Sequence, residues 1–346
     1  MTESRILFDK ESLITPELFS EAVAVEQQDF NAAEYESAVK TVTQQLNRTN
    51  LLFQQGHEPQ ALIHETAHDL HILRRKLSRG SWQALIPVVQ SHPVAVFFLQ
   101  DPFTRWSYTK PRGYSGDAGL LDFIYEHASV ADLVAGATPI GRQLHAYTRN
   151  ASSSVAVRER RDLLTRQIDD ITLARGGGTE ILAIAAGHLR EADRSIALRD
   201  GGISRWMALD QDPLSVASIG RDFAATSIVA IEGTVRGLLT DATGLGSFDF
   251  IYAAGLYDYL NHRVAVKLTR RCLSLLKPNG IFLFANFARE IGVDGYMETF
   301  MNWPLLLRTE GEMRSIVDAS IQGSDMHATV HFGENRNIVY ALIHRA

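Results

Sequence analysis

With one cysteine in 346 residues, Cys272, the chain has no internal disulfide to form, which fits a reducing compartment. No segment approaches the roughly 18 uninterrupted apolar residues of a membrane-spanning helix. The first residues, Met1 to Lys10, mix charges and have no apolar core of export-signal length. A stripe of Lys and Arg without balancing acids is also missing, and a formal charge of −6 argues against a nucleic-acid partner. These absences predict a soluble, unexported, cytoplasmic protein with neither a membrane nor a nucleic acid as partner. They leave the oligomeric state open. No internal repeat or low-complexity stretch interrupts the chain, whose length allows one or two domains.

The texture changes once along the sequence. From Thr15 to about Tyr147 apolar residues recur at helical spacing: Thr15-Pro16-Glu17 reads as an N-cap with proline in the first turn, and Asn31 opens a helix closing near Gly56. Another helix is expected from Pro59 through Lys76, and Pro87 and Pro93 are expected to break the segment Ser81 to Leu99. Beyond Gly176-Gly177-Gly178, apolar runs of strand length fall at 180–185, 205–209, 227–231, 248–253 and 280–286, separated by helical or turn segments. That alternation predicts parallel βαβ units, with Asp325 to Phe332 and Asn337 to His344 pairing as an antiparallel hairpin at one edge. The expected architecture is a helical N-terminal domain, 1–150, followed by a Rossmann-like α/β domain, 151–346. Its sheet is doubly wound, mostly parallel, with an antiparallel C-terminal edge.

In such a sheet ligands bind where strands end, because turns and helix N-termini present backbone N–H groups there. The first run ends in Ala185-Ala186-Gly187-His188-Leu189-Arg190-Glu191, which reads as strand, tight turn, helix. Ala186 and Gly187 would let the backbone approach a ligand closely. The second run ends in Asp210, where a nucleoside-binding fold places the carboxylate that accepts the ribose hydroxyls, with Gln211 beside it. Glu232, Gly233 and Thr234 follow the third run, at the expected position of the adenine ring. Ala253, Gly255 and Leu256 supply small or apolar groups after the fourth, and Asn286 ends the fifth.

A pyrophosphate asks for the three glycines of G-x-G-x-x-G, whereas this turn has one. A sulfonium nucleoside with an amino-acid tail needs less room, and is the expected ligand. On the series Glu180 to Glu191, Asp210, Phe248-Asp249-Phe250-Ile251-Tyr252 and Leu276-Lys277-Pro278-Asn279-Gly280-Ile281, the chain resembles class I S-adenosylmethionine-dependent methyltransferases over roughly 155–346. It departs from their commonest pattern in lacking G-x-G in the first loop. Upstream, Lys110-Pro111-Arg112-Gly113-Tyr114-Ser115-Gly116-Asp117 is similar to the lid signature K-P-R-G-Y-x-G-D of a bacterial subgroup: hydroxy-fatty-acid methyl ester synthases, amino-acid N-methyltransferases and azetidine-2-carboxylate synthases. The plain alternative is an inter-helix connection capped by Asp117.

The resemblance implies S-adenosyl-L-methionine as cofactor and a small-molecule substrate, with the helical domain closing over the crevice. Tyr114 would set an aromatic face against the sulfonium, and Arg112 or Arg158 would pair with the methionyl carboxylate. Tyr114, Tyr257 and Asn286 are the catalytic candidates, with Tyr147 as further lining. Methyl transfer to a small acceptor is the leading reaction. The alternative is attack by the cofactor's own amine, giving azetidine-2-carboxylate and methylthioadenosine.

A rival reading starts from His64-Glu65-Thr66-Ala67-His68, which satisfies the zinc-hydrolase pattern H-E-x-x-H. The extended pattern needs glycine where His71 stands and a third histidine where Arg74 stands. No metal is therefore expected, and Cys272 reads as core.

Overall fold

The computed structural model describes residues 29–240 and 244–346. The cap expected at Thr15 lies outside the described residues. The described chain falls into two compact units, one of residues 29–155 with Ile291–Pro304 and one of Ala156–Glu290 with Leu305–Ala346.

The first unit is helical. Asn31 caps the helix Ala32–Gln54, its side chain accepting from the Glu34 amide, and Gly56 follows at φ 78°. The helix Pro59–Lys76 starts with proline in its first turn and ends on Arg74, Arg75 and Lys76, a charge order that suits the helix dipole. Pro87 does not break the next helix, Arg79–Gln90: it sits one turn from the end, and Trp82, Leu85 and Val89 around it are buried. The interruption comes at Ser91 to Pro93 instead. The later segment Ile291–Pro304 is held by charge. Asp294 takes His71 at 2.7 Å and Arg74 at 2.8 Å, while Glu298 takes Arg74 at 2.8 Å and the Trp82 indole at 2.5 Å. Gly295 is required there, since a Cβ would stand 2.6 Å from the Leu70 backbone.

The second unit is a Rossmann-like α/β fold around seven strands: β1 Thr179–Ile184, β2 Ile203–Asp210, β3 Ile228–Glu232, β4 Phe248–Ala253, β5 Leu276–Phe287, β6 His327–Phe332 and β7 Ile338–His344. Their order is β3-β2-β1-β4-β5-β7-β6. The first five are parallel, and β7 pairs antiparallel with both β5 and β6. The central strands β1 and β4 are almost wholly buried, as continuous apolar runs covered on both faces must be. The strand order reverses between β1 and β4, which makes the carboxyl ends of these two strands the topological switch point.

Two local expectations differ from what is found. β5 begins at Leu276 and not at the expected 280, because Lys277-Pro278-Asn279-Gly280 is a bulge within it, where the register to β4 shifts; Asn279 has φ 59°, and a Cβ on Gly280 would lie 2.8 Å from the Lys277 carbonyl. The strand-turn-helix expected after β1 is the second. No helix follows directly: the next α-helix, Ile196–Arg199, is four residues long. Ala185, Gly187 and Leu189 all have positive φ, at 53°, 58° and 55°. Tertiary bonds override helix propensity here: Gly187 donates to Asp210, Thr165 to the Glu191 carbonyl, and Tyr252 to the Glu191 carboxylate.

Candidate functional site

The β1 and β2 ends meet through one carboxylate. Asp210 Oδ2 accepts the Gly187 amide at 2.7 Å and Oδ1 accepts the Asp212 amide at 2.8 Å. Each oxygen keeps a lone pair for a further donor. The side chain is 6% exposed, and burial raises its pKa to about 6 against the lowering effect of those two amides. Ala186 donates its amide to the Leu209 carbonyl, which ties the first turn to β2. Glu232 is paired in register with Asp210 and exposed, and Gly233 donates to the Asp210 carbonyl at 2.9 Å. Thr234 is occupied as a helix cap, accepting the Gly237 amide. Gln211 and Asp212 lead from the strand into the helix Pro213–Asp222, which Asp212 caps.

At the β4 and β5 ends the polar groups are buried side chains. Arg160, on the helix Ser152–Arg175, is 4% exposed and donates to the Ala254 carbonyl at 2.7 Å. Its guanidinium lies against the Phe287 ring, and a Cβ on Gly255 would stand 3.7 Å from it. Arg160 is also among the charges that favour ionisation of two buried acids, Asp258 and Glu191. Asp258 accepts the Phe287 amide at 2.6 Å, yet burial still raises its pKa to about 6. Glu191 accepts the Tyr252 hydroxyl at 2.5 Å, and burial pushes its pKa up. Arg308 binds Asn286 Oδ1 and the carbonyls of Tyr257 and Leu260.

This network changes the standing of several sequence candidates. Asn286 is wholly buried; its amide donates to the Phe287 and Leu306 carbonyls, so it braces the loop after β5. Tyr257 is wholly buried too, its hydroxyl paired with Thr269 at 2.8 Å and its ring stacked on Phe284. Both are therefore built as packing groups. Ala253 and Leu256 belong to the same hydrophobic core, as does Cys272, whose thiol pKa burial raises. Arg158 stands two residues from Arg160 on the same helix, hence on a different face. Sequence reading named Arg158 and missed Arg160, Glu191, Tyr252 and Asp258. The signal for Arg160 was present only as one arginine among three in Arg158-Glu159-Arg160-Arg161.

Within the helical unit, Asp117 caps the helix Ala118–Tyr125 through the Leu120 amide and also accepts the Trp106 indole at 3.0 Å, with Arg112 at 3.8 Å. Tyr114 lies in the turn between them. His64 and His68 are on the exposed side of their helix, with His64 3.3 Å from the Tyr147 hydroxyl. The positions of the extended zinc pattern, His71 and Arg74, grip Asp294 and Glu298. Among the described residues, no three His, Cys, Asp or Glu side chains are grouped to hold a metal, and no helix is long and apolar enough to cross a membrane.

No family model and no curated protein matches this sequence. Solved structures do. One described as a possible exported protein from Bordetella parapertussis is 13% identical, covering 91% of this chain and 96% of its own, with a TM-score of 0.53. That is a likeness of fold. Weaker matches include the N-methyltransferase NodS from Bradyrhizobium japonicum, in complex with S-adenosylhomocysteine, at 15% identity over 57% of this chain and 89% of its own, TM-score 0.40. Magnesium protoporphyrin IX methyltransferase from Synechocystis, solved with S-adenosylmethionine, is 11% identical over 56% and 84%, TM-score 0.39. At those scores neither carries weight for function.

Proposed function

We propose that the chain binds S-adenosyl-L-methionine across the switch point and acts as a transferase, passing a methyl group to a small-molecule acceptor. The observation that carries this reading is Asp210, a buried carboxylate at the end of β2 with both oxygens oriented by backbone amides and a free lone pair on each. Two vicinal hydroxyls suit those lone pairs. The irregular loop after β1 separates this ligand from a dinucleotide: with no helix starting there, a pyrophosphate has no N-terminal dipole to rest on.

The residues present fit the rest of such a ligand. Arg160, beside a glycine that leaves space, is the cation for its carboxylate, in place of Arg158. Asp258 and Glu191 keep that cation buried and in place. Gly233, Gly255 and the small side chains of the turns let the chain approach a flat ring. Bound here, the sulfonium group supplies an activated carbon and leaves as a neutral thioether. The protein's own part is alignment and exclusion of water, for which no acid–base pair is needed. Arg112 and Tyr114 remain proposed lid contacts, and the reducing cytoplasm the proposed location.

The test incubates the full chain with S-adenosylmethionine, alone and with a panel of amine, carboxylate and phenol acceptors. S-adenosylhomocysteine appearing only with an acceptor is the expected result. Methylthioadenosine forming without any acceptor replaces methyl transfer by intramolecular cyclisation. Failure to bind the cofactor removes both.

A further inference from the structure

The net charge of −6 conceals a local excess of the opposite sign. Contrary to the expectation of no stretch of Lys and Arg without balancing acids, the chain from Tyr259 to Arg289 has no Asp or Glu and six Lys or Arg. Most of that excess sits on the helix His262–Ser274, which with the helix Val235–Leu239 encloses an open cavity of about 510 Å³. Arg236, Lys267, Arg270 and Arg271 line it together with Leu239 and Thr240, and among the described residues no acid does. Leu239, Thr240, Arg270 and Arg271 fall at the far ends of these two crossover helices, toward the edge of the sheet opposite the strand ends that carry Asp210.

The cations are arranged rather than scattered. Arg270 donates to the Ala319 carbonyl at 2.6 Å, a bond that orients its guanidinium without neutralising it, and Arg271 donates to the Leu238 carbonyl at 3.0 Å. Among the described residues, no carboxylate lies within ion-pair distance of Arg236, Lys267 or Arg270, all three of them exposed. Lys267 stands three and four residues before Arg270 and Arg271, spacings at which like charges repel each other and weaken the helix. An anion held between them would offset that repulsion.

We propose that this cavity binds a small polyanion carrying two or more phosphate groups. Its volume is that of a small-molecule site, and planar guanidiniums beside a hydroxyl, Thr240, match phosphate oxygens. A nucleic acid would need the positive surface to continue as a track, and it does not. Lys277 is paired with Glu180 and Asp249, and Arg289 with Glu312.

Calorimetric titration of the full chain with tripolyphosphate tests this. One saturable site is expected. The double variant Arg236→Ala/Lys267→Ala weakens it about 100-fold, about tenfold for each cation removed. Arg236→Lys/Lys267→Arg retains binding, which separates charge from any effect on folding, and Asp210→Ala leaves it unchanged, which separates it from the nucleoside site. The proposal is overturned by the absence of saturable heat, by equal binding to the double alanine variant, or by a single-stranded oligonucleotide that binds more tightly than tripolyphosphate.

Discussion

On the β1–β2 side of the switch point, ligand-facing chemistry is gathered by the backbone: a left-handed turn and two amides aim a single carboxylate, Asp210. On the β4–β5 side it is gathered by side chains drawn from positions 160, 258, 286 and 308, all buried, each occupied by another, by a carbonyl or, for Asp258, by the Phe287 amide. The first side holds lone pairs in reserve, whereas the second is nearly saturated. A ligand's hydroxyl donors therefore belong on the first side, and on the second only the part of Arg160 that its single carbonyl bond leaves over is open to a ligand. The difference is also one of cost. Asp210 and Asp258 both have pKa raised to about 6 by burial, but Asp258 has Arg160 and Arg308 near it, while Asp210 relies chiefly on amides.

The largest effect should come from breaking the saturated side. Arg308→Ala leaves Asn286 Oδ1 and the Tyr257 and Leu260 carbonyls without their donor and removes a cation from Asp258. A loss of about 3–5 kcal/mol is expected, read as a lower midpoint in denaturant unfolding. On the open side, Asp210→Ala should leave folding largely intact and weaken nucleoside binding about 100-fold, through two hydrogen bonds to a charged acceptor.

Smaller effects sharpen the division. Arg160→Ala should weaken S-adenosylmethionine about tenfold and leave methylthioadenosine, which lacks the carboxylate, unaffected; equal losses for both would place Arg160 in support of the fold only. The pH dependence follows from Asp210. A carboxylate accepts from both hydroxyls only when ionised, so affinity should be flat well above the pKa of about 6 and fall as pH drops through it, by up to about tenfold per unit. Titrations across that range read this directly, and Asp210→Ala should flatten the profile. The smallest change is Gly187→Ala, which places a Cβ at φ 58° and should cost about 1 kcal/mol of stability.

The same division explains what could be read in advance. The seven strands were legible because their apolar runs are local and punctuated, and Asp210 because it ends one of them 23 residues after Gly187. The β4–β5 side was not, since Arg160, Asp258 and Arg308 lie 98 and 50 residues apart and nothing in their surroundings marks them as partners. Asn286 was named for ending a strand and Tyr257 as a catalytic candidate, but burial and bonding gave them other work. The missing helix after β1 was hidden because Ala-Ala-Gly-His-Leu-Arg-Glu has helix-forming residues, and only the distant Tyr252, Thr165 and Asp210 decide against it. Likewise, nothing local announces that Ile291–Pro304 packs with the helical unit; the carboxylates of Asp294 and Glu298 find His71, Arg74 and Trp82 more than 200 residues away.

The central claim is that Asp210 holds a nucleoside in a crevice with no seat for a pyrophosphate. Calorimetry of the full chain with S-adenosylmethionine and, separately, with NADH measures it most directly. Saturable binding of the first, lost in Asp210→Ala, with no binding of the second that depends on Asp210, is the predicted result. NADH binding at comparable strength that Asp210→Ala abolishes, or S-adenosylmethionine uptake indifferent to Asp210, would contradict it.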